Sequence, residues 1–175
     1  MATAAWTQRR VWVAEGSTRA ARPDRGVSRS PTGAQDETKE CHMGAWSSEP
    51  FGNDGAGDLV ADIQHGEFSF EGLGWAFEDD YLEVDGGQYA IALVEIALVV
   101  QGTEPAHPAL ADVDLSKVAP LFTEDKIRWI VEMADRALTD SESSELYELW
   151  EEAGSLDEWR TPSVESLDRL RATLA

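Results

Sequence analysis

Residues 86–101 read GGQYAIALVEIALVVQ, and their reading decides the fold. From Tyr89 to Val100 the only polar residue is Glu95. A stretch that is apolar nearly all the way round belongs inside a protein, and its length favours a helix over a strand. It is shorter than the roughly 20 apolar residues that cross a bilayer. Asp85 fits as an N-cap and Gly102 as the C-terminal stop. Such a cylinder is insoluble by itself, so amphipathic segments must wrap it. The expected architecture is all-α: a small single-domain helical bundle around one buried apolar helix.

The flanking sequence supplies the wrapping. Asn53 or Asp54 can cap a helix in which Ala56, Leu59, Val60 and Ile63 share one face. Gly55 and Gly57 each weaken it by about 1 kcal/mol relative to alanine, so it depends on packing. Between Gly66 and Val84, Ser69 can cap a short helix with Leu73, Ala76 and Phe77, although Phe68 and Phe70 alternate as in a strand. The aromatics there are expected to pad the central helix. Thr123 opens a helix striped by Ile127, Ile130, Val131, Ala134, Ala137 and Leu138, with Glu124 and Asp125 complementing its dipole. Ser141 is expected to start another, carrying Leu146, Leu149, Trp150 and Ala153. Ser155 and Glu158 form a capping-box pattern for a short turn, and Thr161-Pro162 reads as the start of a separate last helix. Five or six helices around the apolar one are therefore expected.

The net charge of the 175 residues is −20, unevenly spread. Residues 1–42 carry seven basic and five acidic side chains, lack apolar periodicity and contain Pro23 and Pro31. They read as a disordered leader, for which a start codon misassigned upstream of Met43 is the first explanation and a flexible regulatory tail the second. Residues 43–175, the acidic domain, carry 29 acidic and seven basic residues. A surface this acidic is unsuited to duplex nucleic acid, which requires a basic face. It suits a basic protein partner, divalent cations or a high-salt cytoplasm, and its commonest meaning is a solvated surface that aids solubility. Cys41 is the single cysteine, so an internal disulfide framework is excluded. No membrane span and no export signal is legible, which makes the cytoplasm the expected location. The oligomeric state is not legible.

At Met43 the pattern MGAWSSEPFGNDGAGD begins. It resembles the opening of a bacterial family, domain of unknown function 4259 (DUF4259), close to M-G-x-W-G-x-G-P-F-x-N-D-x-A-x-D. Gly44, Trp46, Pro50, Phe51, Asn53, Asp54, Ala56 and Asp58 match that pattern. Leu149 to Ala153 and Asp157 to Trp159 resemble the family's C-terminal segment, and Ala90 to Val100 stands where it has an alanine-rich helix. Ser47 and Glu49 depart from its usual glycines, and Gly55 from a common acidic residue. The resemblance covers Met43 to the C-terminus and implies no activity, since the family has none established.

Two constellations stand out. Trp46, Pro50, Phe51, Asn53, Asp54 and Asp58 form either a ligand pocket or an aromatic anchor with a helix cap, the second being the commoner use of such residues. An acidic run (Glu67, Glu71, Glu78, Asp79, Asp80, Glu83, Asp85) is threaded with aromatics and reads first as a solvated face over core aromatics. The functional alternative is a surface that grips a basic protein through Glu71, Trp75, Glu78, Asp79, Asp80 and Tyr81. The GNDGAGD loop lacks the spacing and the closing glutamate of an EF-hand. His65 and His107 are the domain's only histidines and no cysteine accompanies them, which argues against zinc; both are expected in exposed loops. No nucleophile elbow or phosphate loop is present in the sequence. The expectation is a non-enzymatic protein-interaction module, immunity- or antitoxin-like, with no cofactor and no metal. A small-ligand or cation-binding module on the Trp46–Asp58 loop is the alternative, and a hydrolase with dispersed carboxylates comes last.

Overall fold

The computed structural model describes residues 47–175, which belong to one compact unit. Trp46 and the leader assigned to residues 1–42 lie outside the described residues. Five α-helices are joined by loops and 3-10 turns, with no strand among the described residues. They are α1 (Asp54–His65), α2 (Val84–Val100), α3 (Glu124–Thr139), α4 (Glu145–Glu152) and α5 (Leu156–Ala172). The all-α bundle expected from the sequence is what forms.

Helix α2 is its axis. Twelve of its 17 residues are buried, including Leu93, Ile96, Ala97 and Leu98. All four other helices pack on it, and α3 also packs on α5. Each large apolar side chain buried here contributes about 1.5–3 kcal/mol relative to exposure, so α2 is the main source of stability. Its N-cap is Glu83 rather than Asp85, which sits in the first turn. Its end is the expected one. Gly102 adopts φ 69°, and the Thr103 N–H donates to the Leu98 carbonyl at 3.0 Å.

Helix α1 shows why packing rescues a glycine-rich helix. The Asn53 side chain accepts from the Ala56 N–H at 2.9 Å, fulfilling the cap. The Gly55 N–H donates at 2.9 Å to Oε1 of Gln88, a residue of α2 only 3% exposed. A Cβ at position 55 would lie 2.6 Å from that same oxygen. Glycine there allows close approach, and a buried glutamine satisfies a donor that a helix start leaves orphaned. Gly57 faces open space and serves no such contact.

Three expectations are corrected. The Ser69 helix does not form: Ser69 Oγ accepts from the Gly72 N–H in a turn, followed by a 3-10 turn at Gly74–Phe77. Helix α4 starts three residues later than expected, capped by Ser144, because Leu82 pairs with the preceding segment. The Leu82 N–H donates to the Ser143 carbonyl at 3.0 Å and the Glu145 N–H to the Leu82 carbonyl at 2.9 Å. Finally, α5 runs unbroken through Thr161 and Pro162. Both residues are exposed, so water can take the carbonyl that proline leaves without its helical donor. Trp159, Ser163, Ser166, Leu167 and Leu170 hold the helix to the core across that point. With the short turn and last helix fused, four α-helices surround α2 instead of five or six.

Candidate functional site

The loop before α1 closes on itself. The Ser47 N–H reaches the Gly52 carbonyl at 3.2 Å and the Gly52 N–H the Glu49 carbonyl at 3.0 Å. Half-buried Phe51 packs against His107, ring centroids 5.0 Å apart. His107 is more than the exposed loop residue expected. Its Nδ1 accepts from the Ala109 N–H at 3.1 Å, and its Nε2 lies 3.8 Å from a Glu49 carboxylate oxygen. His65 is exposed at the end of α1. Of the candidate pocket residues, Pro50 is half-buried, Asn53 is spent on capping, and Asp54 and Asp58 are exposed on α1. Among the described residues no three His, Cys, Asp or Glu side chains converge as metal ligands. Ser48 Oγ donates to Glu158 at 3.4 Å, so the two segments that carry the family resemblance meet in space. Behind Glu158, Trp159 stacks on Trp150 at 6.0 Å and is buried.

The second constellation is a surface. Glu71, Trp75, Glu78, Asp79, Asp80 and Tyr81 are all exposed, Trp75 by 55% and Tyr81 by 38%. Burial explains the other aromatics of this segment: Phe68 and Phe70 are core residues, and half-buried Phe77 packs against Trp129 at 4.9 Å. Trp75 departs from that expectation. Its ring stands perpendicular to that of Tyr89, centroids 6.2 Å apart, and more than half of the residue faces solvent. Trp75, Asp79 and Tyr81 line a cleft of about 70 Å³ together with Ala76, Glu83 and Gly86. Glu71 lies apart, beside Phe70, Leu121 and Lys126.

Several links fix the cleft. A Cβ at Gly86 would stand 2.4 Å from the Ala76 carbonyl oxygen, so only glycine lets α2 begin against the 3-10 turn. The Tyr81 hydroxyl donates to Glu148 of α4 at 3.1 Å, and Glu145 accepts from the Val84 N–H at 2.8 Å. Arg136 of α3 donates to the Asp79 backbone carbonyl, which leaves the Asp79 carboxylate outside the bond.

The two tyrosines beside the cleft are shifted in the same direction. Partial burial, then the hydrogen bond and charge of Glu148, push the Tyr81 phenol above its ordinary pKa. Burial, then the charges of Asp85, Asp58 and Asp62, do the same for Tyr89. Asp58, read from the sequence on the outer face of α1 and as the end of the Trp46–Asp58 candidate site, thus adds to the charge around Tyr89, against which Trp75 packs. Glu83 and Asp85 belong to the acidic run as read from the sequence, whereas Tyr89 was read only as part of the buried helix.

A profile for a domain of unknown function, DUF4259, matches residues 44–162. The chain belongs to the DUF4259 family. The match ends inside α5, so the DUF4259 region stops short of the C-terminal stretch that the sequence resemblance included. No curated protein and no solved structure matches the chain. No helix among the described residues is long and apolar enough to cross a membrane.

Proposed function

We propose that this DUF4259 protein is a non-enzymatic interaction module that binds a basic protein partner in the bacterial cytoplasm, in the manner of an immunity protein or antitoxin. The observation that carries the reading is Trp75, a large aromatic 55% exposed in the middle of an acidic segment. A tryptophan left in water beside carboxylates has the composition of an interface anchor, since aromatics dominate binding energy and charge sets the encounter rate. Residues 47–100 strengthen it, holding 12 acidic residues and no lysine or arginine. Asn53, Asp54 and Asp58 are disposed as a cap and two solvated helix carboxylates, which leaves the ligand-binding alternative without a converging set.

The test is kinetic. A cationic protein retained by the full chain from cytosolic extract at physiological salt is measured against the wild type and Trp75→Ala. Association should slow steeply as ionic strength rises, because steering decays over a Debye length of about 8 Å at physiological salt. Dissociation should change little with salt but rise at least tenfold in Trp75→Ala, the equivalent of about 1.4 kcal/mol. Retention only of generic basic proteins, all released together at moderate salt and indifferent to Trp75, would overturn the reading.

A further inference from the structure

The cleft beside Trp75 has the size and chemistry of a receptor for one side chain. We infer that it takes a single lysine ammonium of the partner, lodged between Trp75, Tyr81, Asp79 and Glu83. The inference rests on the interaction reading above and narrows it to one cationic group.

The cleft is small, about 70 Å³, and two of its lining residues are half-exposed aromatics. Tryptophan and tyrosine attract cations through the negative faces of their rings, tryptophan best, and the attraction grows as the cation sheds water. Two more lining residues, Asp79 and Glu83, are exposed, and their carboxylates make no ion pair or hydrogen bond among the described residues. Arg136 touches this segment only at the Asp79 backbone carbonyl. One guanidinium therefore borders the site, while the two lining carboxylates keep no ion-pair partner among the described residues. Ala76 and Gly86 complete the lining with small, apolar surface, against which the methylene stem of a long side chain can lie. A compact ammonium on a flexible stem suits a cleft this narrow better than the wide, planar guanidinium.

The full chain, labelled with nitrogen-15, is titrated with three blocked pentapeptides that differ only at the central residue: lysine, Nε-acetyl-lysine or arginine. The Trp75 indole resonance is assigned from its loss in Trp75→Phe. That resonance should move saturably with the lysine peptide and stay in place with the acetylated one. The arginine peptide should bind several-fold more weakly than lysine. The double variant Asp79→Asn/Glu83→Gln should weaken the lysine peptide by about tenfold while its spectrum remains that of the folded chain. Equal responses to all three peptides, or an unmoved indole, would overturn the lysine assignment. An unmoved indole in a chain that still shows salt-steered association with a cationic protein discards the cleft and keeps the interaction reading. A responsive indole in a chain that retains no such protein keeps the cleft and discards the partner.

Discussion

Residues 47–100 and residues 101–175 build one core but treat charge in opposite ways. The first region, with α1, the 3-10 turn and α2, has 12 acidic residues and no lysine or arginine. The second, with α3 to α5, has 17 acidic residues and all seven of the domain's basic ones. There most of the cations are used at home, although Arg136 donates to the Asp79 backbone carbonyl of the first region. Arg128 pairs with Glu124, Arg169 with Glu104, Arg171 with Asp135 and Asp168, and Lys117 with Asp114. Arg160 donates to the Leu138 carbonyl, and Lys126 lies over the rings of Phe70 and Trp129. Among the described residues every Lys and Arg ion pair falls on a carboxylate of the second region. The difference teaches that acidity alone does not mark a binding surface. In one region it is balanced locally, and in the other it is left facing solvent around an exposed tryptophan.

The largest expected effect asks whether the two regions are one folding unit. Leu93 in α2 and Ile130 in α3 are both fully buried. Leu93→Ala and Ile130→Ala should each cost about 2–5 kcal/mol in urea denaturation, with a single transition reported by all probes. Two separate transitions would divide the regions and break the comparison.

The next effects have opposite signs. Pro162→Ala in α5 should stabilise the protein by roughly 1–3 kcal/mol, since proline within a helix removes a hydrogen bond and crowds the preceding turn. In α1, Gly57→Ala should stabilise by about 0.5–1 kcal/mol. Gly55→Ala should destabilise instead, because its Cβ meets Gln88. Chemical denaturation of the three variants checks all signs.

That pair of glycines also shows what the sequence could reveal. Composition and periodicity were enough for α2, for the stripe of α3 and for the Asn53 cap. They could not separate Gly55 from Gly57, because the distinction lies in Gln88, a residue 33 positions away that arrives only through tertiary packing. Thr161-Pro162 misled for a related reason: a helix start was read from two local residues, while the buried stripe on either side carries α5 through. The acidic run was legible as a composition. Which aromatic in it would be left in solvent was not, because that follows from the 3-10 turn and from Leu82 pairing with the start of α4.

Smaller effects sharpen the contrast in charge. Arg171→Ala should cost at most about 1 kcal/mol, an exposed network being screened by water and salt. Asp80→Asn should leave stability equal or raise it by a few tenths of a kcal/mol, because it relieves repulsion among unpaired carboxylates. Loss of stability from Asp80→Asn larger than from Arg171→Ala would reverse the proposed difference. Alkaline titration gives the smallest signal. The folded-state pKa values of Tyr81 and Tyr89 lie above the ordinary 10.0, so their contribution to stability is complete below pH 10.0 and is lost as pH rises through the raised values. Their phenolate absorbance should appear later in the folded chain than in denaturant.

The most direct test removes three negative charges from each region in turn. One variant is Glu78→Gln/Asp79→Asn/Asp80→Asn, and the other is Asp125→Asn/Glu132→Gln/Glu165→Gln; all six positions are exposed. Stopped-flow association with a lysine-rich peptide is measured at low ionic strength. The first variant should associate several-fold more slowly than the second, although both have lost the same net charge. Equal slowing would mean that the chain acts only as a diffuse polyanion, and would contradict the account.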